Sequence, residues 1–338
     1  MSSVKIKYDQ LLNNIGLTLQ KAKSNAIKTI NNELVKANWE IGKYIIEFEQ
    51  EGNKKAEYGS ELLKNISRDL KTKYGNGFSK STIYLCRQFY LKYPKFQTVS
   101  GILSWSHYTE LIGISDDLSR QFYERQAIAE KWSIREMKRQ IESALFQRLA
   151  YSKDKIGVKN LAKKGQEIVN PIDAIKDPYI FEFLNLPKEK ILKEKSLERK
   201  LIDNLQNFLL ELGKGFSFVA KQFKINIQNE HYFIDLVFYH TILKCFILIE
   251  LKTRKVKHQD IGQMNLYLNY FKEEENSAED LEPIGIIIVA DKHELLVKYA
   301  TGGLSNKIFI SKYQLHLPDQ KILENKVKEI IERKGNIN

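Results

Sequence analysis

Apolar residues recur at helical spacing throughout the first 150 residues, where no alternation typical of strands is visible. The series over residues 9–50 predicts one long helix or two joined helices. Further amphipathic series follow, bounded by capping residues or glycine turns, over residues 59–74, 79–90, 105–112, 116–130 and 134–149. Residues 1–150 are therefore predicted to form an all-α domain.

The second and third predicted helices are joined by the turn Gly75-Asn76-Gly77, an arrangement compatible with a helix-turn-helix. In such a unit the early residues of the second helix face a nucleic acid. Those residues are Lys80, Ser81, Thr82, Tyr84 and Arg87. An ordinary pair of helices in a bundle has the same pattern, so both interpretations stay open.

Residues 151–178 change in character, because lysines alternate there with small and polar residues. Pro171 and Pro178 interrupt any helix in this segment. It is predicted to be a connecting arm with a basic, solvated surface.

A different pattern begins at Ser196, which is predicted to cap a helix with an apolar face up to Leu212. The elements that follow are strands over 216–222, 231–239 and 244–251, a helix over 259–271, and strands over 284–290 and 307–311. A short connection makes the second and third strands an antiparallel hairpin, and the next helix crosses over to a parallel strand. Residues 179–318 are thus predicted to be an α/β domain with a mixed sheet, followed by a charged helix over 319–338.

Composition agrees with two globular domains, since the chain has 338 residues, 43% of them hydrophobic and 28% charged. Cys86 and Cys245 lie far apart, so no zinc-binding cysteine spacing exists, and both are predicted to be buried thiols of a reducing compartment. The beginning of the chain lacks a signal-peptide pattern, and no apolar run approaches the roughly 20 residues of a membrane span. A cytoplasmic protein without membrane contact is expected.

A net charge of +12 favours a polyanionic partner such as nucleic acid. A lysine-rich genome composition explains the same excess, so the charge supports a nucleic-acid partner only together with a candidate site.

Candidate chemistry lies on the predicted hairpin, with Asp235 on one strand and Glu250 and Lys252 on the other. Side chains two residues apart share a face of a strand, so Glu250 and Lys252 point the same way. Opposed side chains of antiparallel neighbours lie within about 5 Å. A suitable register therefore brings both carboxylates beside the lysine.

Two close carboxylates repel each other unless a cation is shared between them. Mg²⁺ suits such a pair, because it prefers oxygen ligands and needs only one or two carboxylates beside water and phosphate oxygens. Lys252 then lies where an attacking water or a developing phosphorane charge requires a cation. Taken singly, each residue also fits an exposed ion pair or a strand edge, so the combination carries the prediction.

With Glu198 on the preceding helix, and Gln263 and Tyr267 four residues apart on the following one, the chain resembles the PDDEXK nuclease superfamily and, within it, the YhcG family of bacterial nucleases. The matching segments are Leu197-Glu198-Arg199, Tyr232 to His240, Ile249-Glu250-Leu251-Lys252 and Gly262 to Tyr267. The first half resembles the helical domain of unknown function attached to that nuclease, in Tyr58-Gly59, Leu70-Lys71, Phe78-Ser79 and Arg87-Gln88-Phe89-Tyr90.

This resemblance implies a restriction-endonuclease-like core of αβββαβ topology. It implies that Asp235 and Glu250 are metal ligands, together with the backbone carbonyl of Leu251. Glu198 becomes an additional ligand or a group that orients one. Lys252 polarises the water that attacks the phosphate.

The resemblance also implies that Gln263 and Tyr267 border the site, Gln263 with the catalytic residues and Tyr267 against DNA. Ile234 stands where the superfamily has the proline of its name, which leaves the predicted metal site intact. Arg254, Lys255 and Lys257 follow the motif directly and form a candidate strip for phosphate contacts, with a solvated loop as the equal alternative.

The sequence therefore predicts a Mg²⁺-dependent deoxyribonuclease, with Mn²⁺ as a substitute ion, that acts on branched or foreign DNA. Expected partners are DNA, a second copy of the chain, and restriction-modification or other defence proteins. The alternative is a catalytically inactive DNA-binding or assembly subunit of a restriction, defence or recombination complex. A nucleotide-binding enzyme is disfavoured, because the chain lacks a GxGxxG or Walker loop.

Overall fold

A computed structural model of the chain describes residues 3–51, 59–95, 101–150, 153–187, 193–292 and 305–332. The chain forms two compact units, Met1–Lys138 and Arg139–Asn338. Tyr58 of the N-terminal motif and residues 333–338 of the predicted last helix lie outside the described residues.

The first unit is helical, as predicted. Its helices are α1 (Ser3–Glu51), α2 (Gly59–Tyr74), α3 (Lys80–Lys92), α4 (Trp105–Gly113), α5 (Asp117–Glu130) and α6 (Ile134–Glu142), the last of which crosses into the second unit. The series over residues 9–50 is thus a single helix. Ser79 caps α3 by accepting a hydrogen bond from the backbone N–H of Thr82, and Asp116 caps α5 in the same way.

Close packing of α1 on α3 organises this unit. A Cβ on Gly42 would lie 2.0 Å from the backbone oxygen of Cys86, so only glycine allows this crossing. The indole Nε1 of Trp39 donates to the carbonyl oxygen of Tyr93 at 2.6 Å and fixes the end of α3 against α1. The predicted helix-turn-helix pair, α2 and α3, is joined through Gly75 and Gly77, both with positive φ.

The segment predicted as a solvated connecting arm is largely folded. After α7 (Leu145–Ala150), helix α8 (Lys155–Lys164) buries Val158, Leu161 and Ala162, and a 3₁₀ turn occupies Pro171–Ala174. Three small or branched apolar residues at helical spacing form this packed face. The lysines of this helix, which suggested a linker, are exposed.

The second unit is built on a mixed sheet. Its remaining elements are β1 (Tyr179–Ile180), α9 (Glu194–Asp203), α10 (Leu205–Leu212), β2 (Phe216–Ile227), β3 (Glu230–His240), β4 (Cys245–Lys255), α11 (His258–Tyr270), β5 (Ile284–Asp291), β6 (Lys307–Gln314) and α12 (Gln320–Glu332). The helix predicted after Ser196 is two helices that meet at Asn204, and its first residue follows Lys193 rather than Ser196. No helix of the described residues combines the length and the apolar character that crossing a bilayer requires.

The strand order is β1-β6-β5-β4-β3-β2. Strands β2, β3 and β4 pair antiparallel, whereas β4–β5 and β5–β6 pair parallel. One face of the sheet buries Leu236 and Ile249 with residues of α9 and α10, and the other buries Val237 and Leu248 with residues of α11. The predicted αβββαβ order and mixed sheet are thus confirmed.

Candidate active site

Strands β3 and β4 separate at one end, and two acidic side chains lie in the resulting fork. The ladder pairs Leu236 with Ile249, and one further step sets Asp235 opposite Glu250. The regular pairing of β3 with β4 ends at Leu236 and Ile249. Instead, the backbone N–H of Asp235 donates to Glu250 Oε1 at 3.2 Å, and the N–H of Leu251 donates to Asp235 Oδ2 at 2.9 Å. Each carboxylate therefore binds the backbone of the opposite strand, which holds both in the fork.

Where the strands diverge, the side chain of Ile234 packs in a different core from the one that strand alternation predicts. Strict alternation would put Ile234 with Leu236, but Ile234 packs in the core on the α11 side and Leu236 in the core on the α9 side. The alternation of β3 therefore breaks beside Asp235.

Lys252 lies beside the fork, as predicted from its spacing to Glu250. Its Nζ donates to Glu250 Oε2 at 3.0 Å and lies 3.8 Å from Glu194 Oε2 on α9. Glu250 is only 3% exposed, so this ammonium group supplies a cation next to a buried carboxylate.

Glu198 reaches the fork through an amide. Gln222 on β2 donates from its Nε2 atom to Glu198 Oε2 at 2.9 Å and to Asp235 Oδ1 at 3.0 Å. The β2–β3 register sets Gln222 opposite Asp235, between the pairs Lys221–Leu236 and Phe223–Ile234. The backbone of Gln222 is left-handed, with φ 48°. One amide thus joins the predicted carboxylate of α9 to the carboxylate of β3.

Gln263 and Tyr267 are adjacent on α11, where the Gln263 amide donates to the Tyr267 hydroxyl. That hydroxyl in turn donates to the carbonyl oxygen of Phe233 at 3.3 Å. Tyr267 is fully buried, which is at odds with the DNA contact expected of it. Its observed contacts anchor Gln263 and the backbone of β3 next to Asp235.

Burial and mutual repulsion dominate the electrostatics of the two acids. Burial, followed by the charge of Asp235, raises the pKa of Glu250 to about 7, against the lowering effect of Lys252. Burial also raises the pKa of Asp235, although the Leu251 N–H, Lys252 and Gln222 oppose it. A shared cation relieves both effects, because it stabilises the charged form of each carboxylate.

The remaining charged groups respond to the same environment. Burial lowers the pKa of Lys252, but the carboxylates of Glu250, Asp235 and Glu194 together more than offset it, so the net pKa is raised and the ammonium stays charged. Burial raises the pKa of Glu198, and the Asp235 charge adds to this rise.

The donor set of the fork fits a hard divalent cation better than a softer one. Within the described residues, no group of three or more His, Cys, Asp or Glu side chains converges as a ligand cluster. Mg²⁺ requires no such cluster, since it retains several waters and is bound by one or two carboxylates together with substrate oxygens. Asp235 and Glu250 supply two such carboxylates, and the backbone of Leu251 contacts the first of them through its N–H group. Ligation by its carbonyl, and by Glu198, stays a prediction.

The predicted phosphate strip after β4 is partly neutralised by acidic neighbours. Arg254 makes two hydrogen bonds of 2.7 Å to the carboxylate of Asp260. Lys255 Nζ lies 3.5 Å from Asp291 Oδ2. The backbone N–H of Lys257 donates to Asp260. Lys255 and Lys257 are exposed.

The other predicted DNA contacts lie on α3 of the first unit. Lys80, Ser81 and Tyr84 are exposed, whereas Thr82 is half-buried at the helix cap. Arg87 is bound to Glu49 of α1, with both Nε–Oε distances at 2.9 Å. The predicted DNA contact through α3 therefore stays a prediction for the exposed residues. Arg87 forms an ion pair within the helical unit.

Sequence reasoning missed Glu194 and Gln222. Glu194 precedes Glu198 by four residues on the same helix, so the i, i+4 spacing alone could have drawn attention to it. Gln222 carries no such signal, because a glutamine in a polar-facing strand position is common and its role depends on the β2–β3 register.

Comparisons with known proteins identify the family to which the chain is similar. A family model described as the YhcG PDDEXK nuclease domain matches residues 172–328, and one described as the DUF1016 N-terminal domain matches residues 14–148. A protein of Escherichia coli (strain K12) named "Putative nuclease YhcG" is 33% identical over 352 residues, covering 95% of this chain and 93% of that protein.

Two solved structures also show similarity to part of the chain. A repair endonuclease from Pyrococcus abyssi is 18% identical with a TM-score of 0.27, over 39% of this chain and 50% of that one. EndoMS in its apo form is 13% identical with a TM-score of 0.24, over 38% of this chain and 48% of that one.

Proposed function

The chain belongs to the YhcG family of PDDEXK nucleases, and from this premise we propose that it is a Mg²⁺-dependent deoxyribonuclease that hydrolyses phosphodiester bonds at the fork of β3 and β4. The observation that carries the proposal is the convergence of Asp235, Glu250 and Lys252 in that fork. A net charge of +12 favours a polyanionic substrate. We propose branched or foreign DNA as the substrate class.

Asp235 and Glu250 would hold the metal ion, which when bound supplies a Lewis acid for the phosphate and lowers the pKa of a water. The chain's own groups do the rest. The backbone N–H groups of Asp235 and Leu251 fix the two carboxylates in place before any ligand arrives. This pre-organisation removes part of the cost of bringing two like charges together.

Lys252 holds a proton at Nζ, and the raised pKa keeps that group cationic at neutral pH. A cation at this position stabilises negative charge that develops on the phosphate oxygens and orients the attacking water. Gln222 positions Asp235 and Glu198 together, and Gln263, anchored by Tyr267, borders the site on the α11 side.

The test compares the wild-type chain with Asp235→Asn and Lys252→Met on plasmid, single-stranded and branched DNA, with Mg²⁺ or Mn²⁺. Each substitution is expected to lower the cleavage rate by about 10²–10³-fold or more, because each removes a charge that acts in the transition state. Asp203→Asn is the matched control, since Asp203 is an exposed acid at the end of α9 and should leave the rate unchanged.

Cleavage that survives both substitutions would contradict the assignment of the site. Salt-sensitive DNA binding by the wild type, without turnover in either metal, would instead favour the inactive DNA-binding or assembly subunit. Preference among the three DNA forms tests the proposed substrate class separately.

A further inference from the structure

Helix α1 presents a long apolar face to solvent. The helix has 49 residues, yet none of residues 8–34 is buried. Large side chains in this region are about half exposed or more, among them Leu12 at 50%, Leu19 at 57% and Ile30 at 59%. Because helices of this kind owe most of their stability to packing of an apolar face, a partner for this face is missing from the described part of the chain.

The apolar positions form one continuous line, here called the α1 stripe. Its first half consists of Tyr8, Leu12, Ile15, Leu19, Ala22 and Ala26. Its second half consists of Ile30, Leu34, Ala37, Ile41, Tyr44 and Phe48. All of these residues are exposed except Ile41, which is half-buried. The steps of three and four residues are those of a coiled-coil seam, with one extra residue at the centre, where three steps of four follow one another.

The spacing of the stripe is the same read from either end. Steps of 4, 3, 4, 3 and 4 residues lead from Tyr8 to Ala26, a step of 4 crosses the centre, and the same series leads from Ile30 to Phe48. Every stripe residue therefore has a counterpart at equal distance on the other side of Lys28. A two-fold axis at that point would superimpose apolar layers of two antiparallel copies along the whole helix.

Side-chain sizes are complementary under the same operation. It sets Ala22 against Leu34, and Ala26 against Ile30, of the other copy. It also sets Leu19 against Ala37. Each alanine thus meets a large aliphatic residue, which is the alternation that lets facing layers interdigitate.

Charge favours the antiparallel orientation over the parallel one. Residues 3–30 contain five lysines and one aspartate, a net charge of +4. Residues 31–51 contain five glutamates and two lysines, a net charge of −3. Antiparallel copies bring the basic half of one helix alongside the acidic half of the other, whereas parallel copies would oppose like charges.

The area is sufficient for a stable pair. The eight large side chains of the stripe that are exposed, all except Ile41, would each lose on the order of 80 Å² of exposed surface, so two copies would bury roughly 1,300 Å². Specific protein interfaces bury about 1,200–2,000 Å². An interface of this size needs no contribution from the rest of the chain.

We propose that two copies of this chain associate through the α1 stripe as an antiparallel, two-fold symmetric helix pair. The symmetric spacing, the size complementarity and the charge distribution all point to a second copy as the occupant, rather than to a different protein or a lipid surface. The interface belongs to the first unit and does not depend on the proposed nuclease activity.

The first test measures the mass of the full chain in solution by light scattering, at micromolar concentration. The wild type is expected at twice the chain mass of 39.5 kDa. Leu19→Glu should halve the measured mass, since it places a charge in the seam. Leu17→Glu is the matched control, because Leu17 is 55% exposed on the same helix but lies off the stripe, and it should remain dimeric. Circular dichroism of both variants confirms that the helices are retained.

The second test fixes the orientation by disulfide cross-linking, with both native cysteines buried. Under mild oxidation, the double variant Leu19→Cys/Ala37→Cys should form covalent dimers, whereas Leu19→Cys alone should not. In a parallel pair Leu19 would face itself, so Leu19→Cys alone would form covalent dimers as readily as the double variant.

Several outcomes would overturn the proposal. They are a monomeric wild type, a dimer that Leu19→Glu leaves intact, and efficient cross-linking of Leu19→Cys alone. A monomer that sediments with anionic lipid vesicles through the stripe would assign the face to a membrane surface instead.

Discussion

At the scale of single residues, Gln222 connects the backbone of β2 to the chemistry of the fork. Its left-handed backbone, with φ 48°, is costly for a residue with a side chain, by about 1–2 kcal/mol. Its amide nevertheless holds Glu198 and Asp235 together. Local strain of this kind persists where the surroundings require it, which is typical of functional sites.

Gln222→Gly should therefore separate stability from activity. Glycine adopts the left-handed conformation without strain, which stabilises the folded chain, but it also increases the conformational freedom of the unfolded chain. These two effects oppose each other, so the free energy of unfolding should change by no more than about 1 kcal/mol. Loss of the amide should weaken metal binding by about 10-fold or more, as substitutions next to metal ligands commonly do. Thermal unfolding and the Mg²⁺ dependence of DNA cleavage measure the two effects.

Gln228→Gly is the control for this prediction. Gln228 has φ 47° and is exposed in the β2–β3 turn, so the backbone effect is the same. Its substitution should leave the metal dependence of cleavage unchanged. Equal losses of activity in the two variants would assign the effect of Gln222 to the backbone alone.

Sequence could predict Asp235, Glu250 and Lys252 because their relation is local. Alternation fixes the face of Glu250 and Lys252, and the short β3–β4 connection restricts the register that sets Asp235 opposite Glu250. The roles of Gln222 and Tyr267 were beyond such reasoning. The first depends on the pairing of β2 with β3, and the burial of the second depends on how α11 packs on the sheet.

At the scale of elements, periodicity located the helices but not the breaks within them. The series over 134–149 is interrupted at Ala144, whose φ is 53°, and the helix predicted after Ser196 is interrupted at Asn204, between Asp203 and Leu205. An apolar face can continue across such a break, so the pattern does not reveal it. Helix α8 was missed for the converse reason, because its lysines outnumber the few apolar residues of its packed face.

Glu211 of α10 is the buried group that joins several of these elements. Its Oε1 accepts hydrogen bonds from Arg148 of α7 at 2.6 Å and from the N–H of Ile180 of β1 at 2.9 Å. Its Oε2 accepts from Arg139 at 3.1 Å. Burial raises the pKa of Glu211, but the neighbouring cations more than offset this effect and lower the pKa to about 2. These cations are Arg148, Lys176 and Arg139.

Glu211→Gln is expected to lower the free energy of unfolding by about 3–5 kcal/mol at neutral pH, since it leaves buried guanidinium groups without their counter-charge. The pKa of Glu211 in the folded chain lies below its value of about 4.3 in the unfolded chain. The charged carboxylate therefore stabilises the fold fully at pH values above the unfolded pKa, and this stabilisation is lost as the pH falls through the folded pKa. The difference between wild type and variant should therefore shrink between about pH 5 and pH 2.

Urea unfolding at several pH values measures this difference. Glu167→Gln serves as the control, because Glu167 is 60% exposed in its ion pair with Lys164 and should change the stability little. A pH-independent difference for Glu211→Gln would show that packing, rather than charge, accounts for its effect.

At the scale of the whole molecule, the two classes of unit were evident from the sequence, since helical and strand periodicities separate along the chain. The predicted boundary at residue 150 reflects where those periodicities change. The compact units instead divide after Lys138. Arg139 and Arg148 explain the difference, because their partners Glu182 and Glu211 lie in the sheet unit and tens of residues away in sequence. Such contacts leave no periodic signal.

This division predicts how fragments of the chain will behave. A fragment of residues 133–338 keeps α6 and α7, and with them both arginines that bind Glu211. A fragment of residues 151–338 begins at the boundary that periodicity suggests, but it leaves Glu211 buried with Lys176 alone of its three cationic neighbours. The shorter fragment should therefore be the less stable by several kcal/mol, on the scale of about 3–5 kcal/mol for a broken buried ion pair. Urea unfolding followed by circular dichroism measures this difference.

Glu211→Gln in each fragment serves as the control. It should destabilise the longer fragment and have little further effect on the shorter one. Equal stability of the two unmodified fragments would refute the assignment of residues 139–150 to the sheet unit.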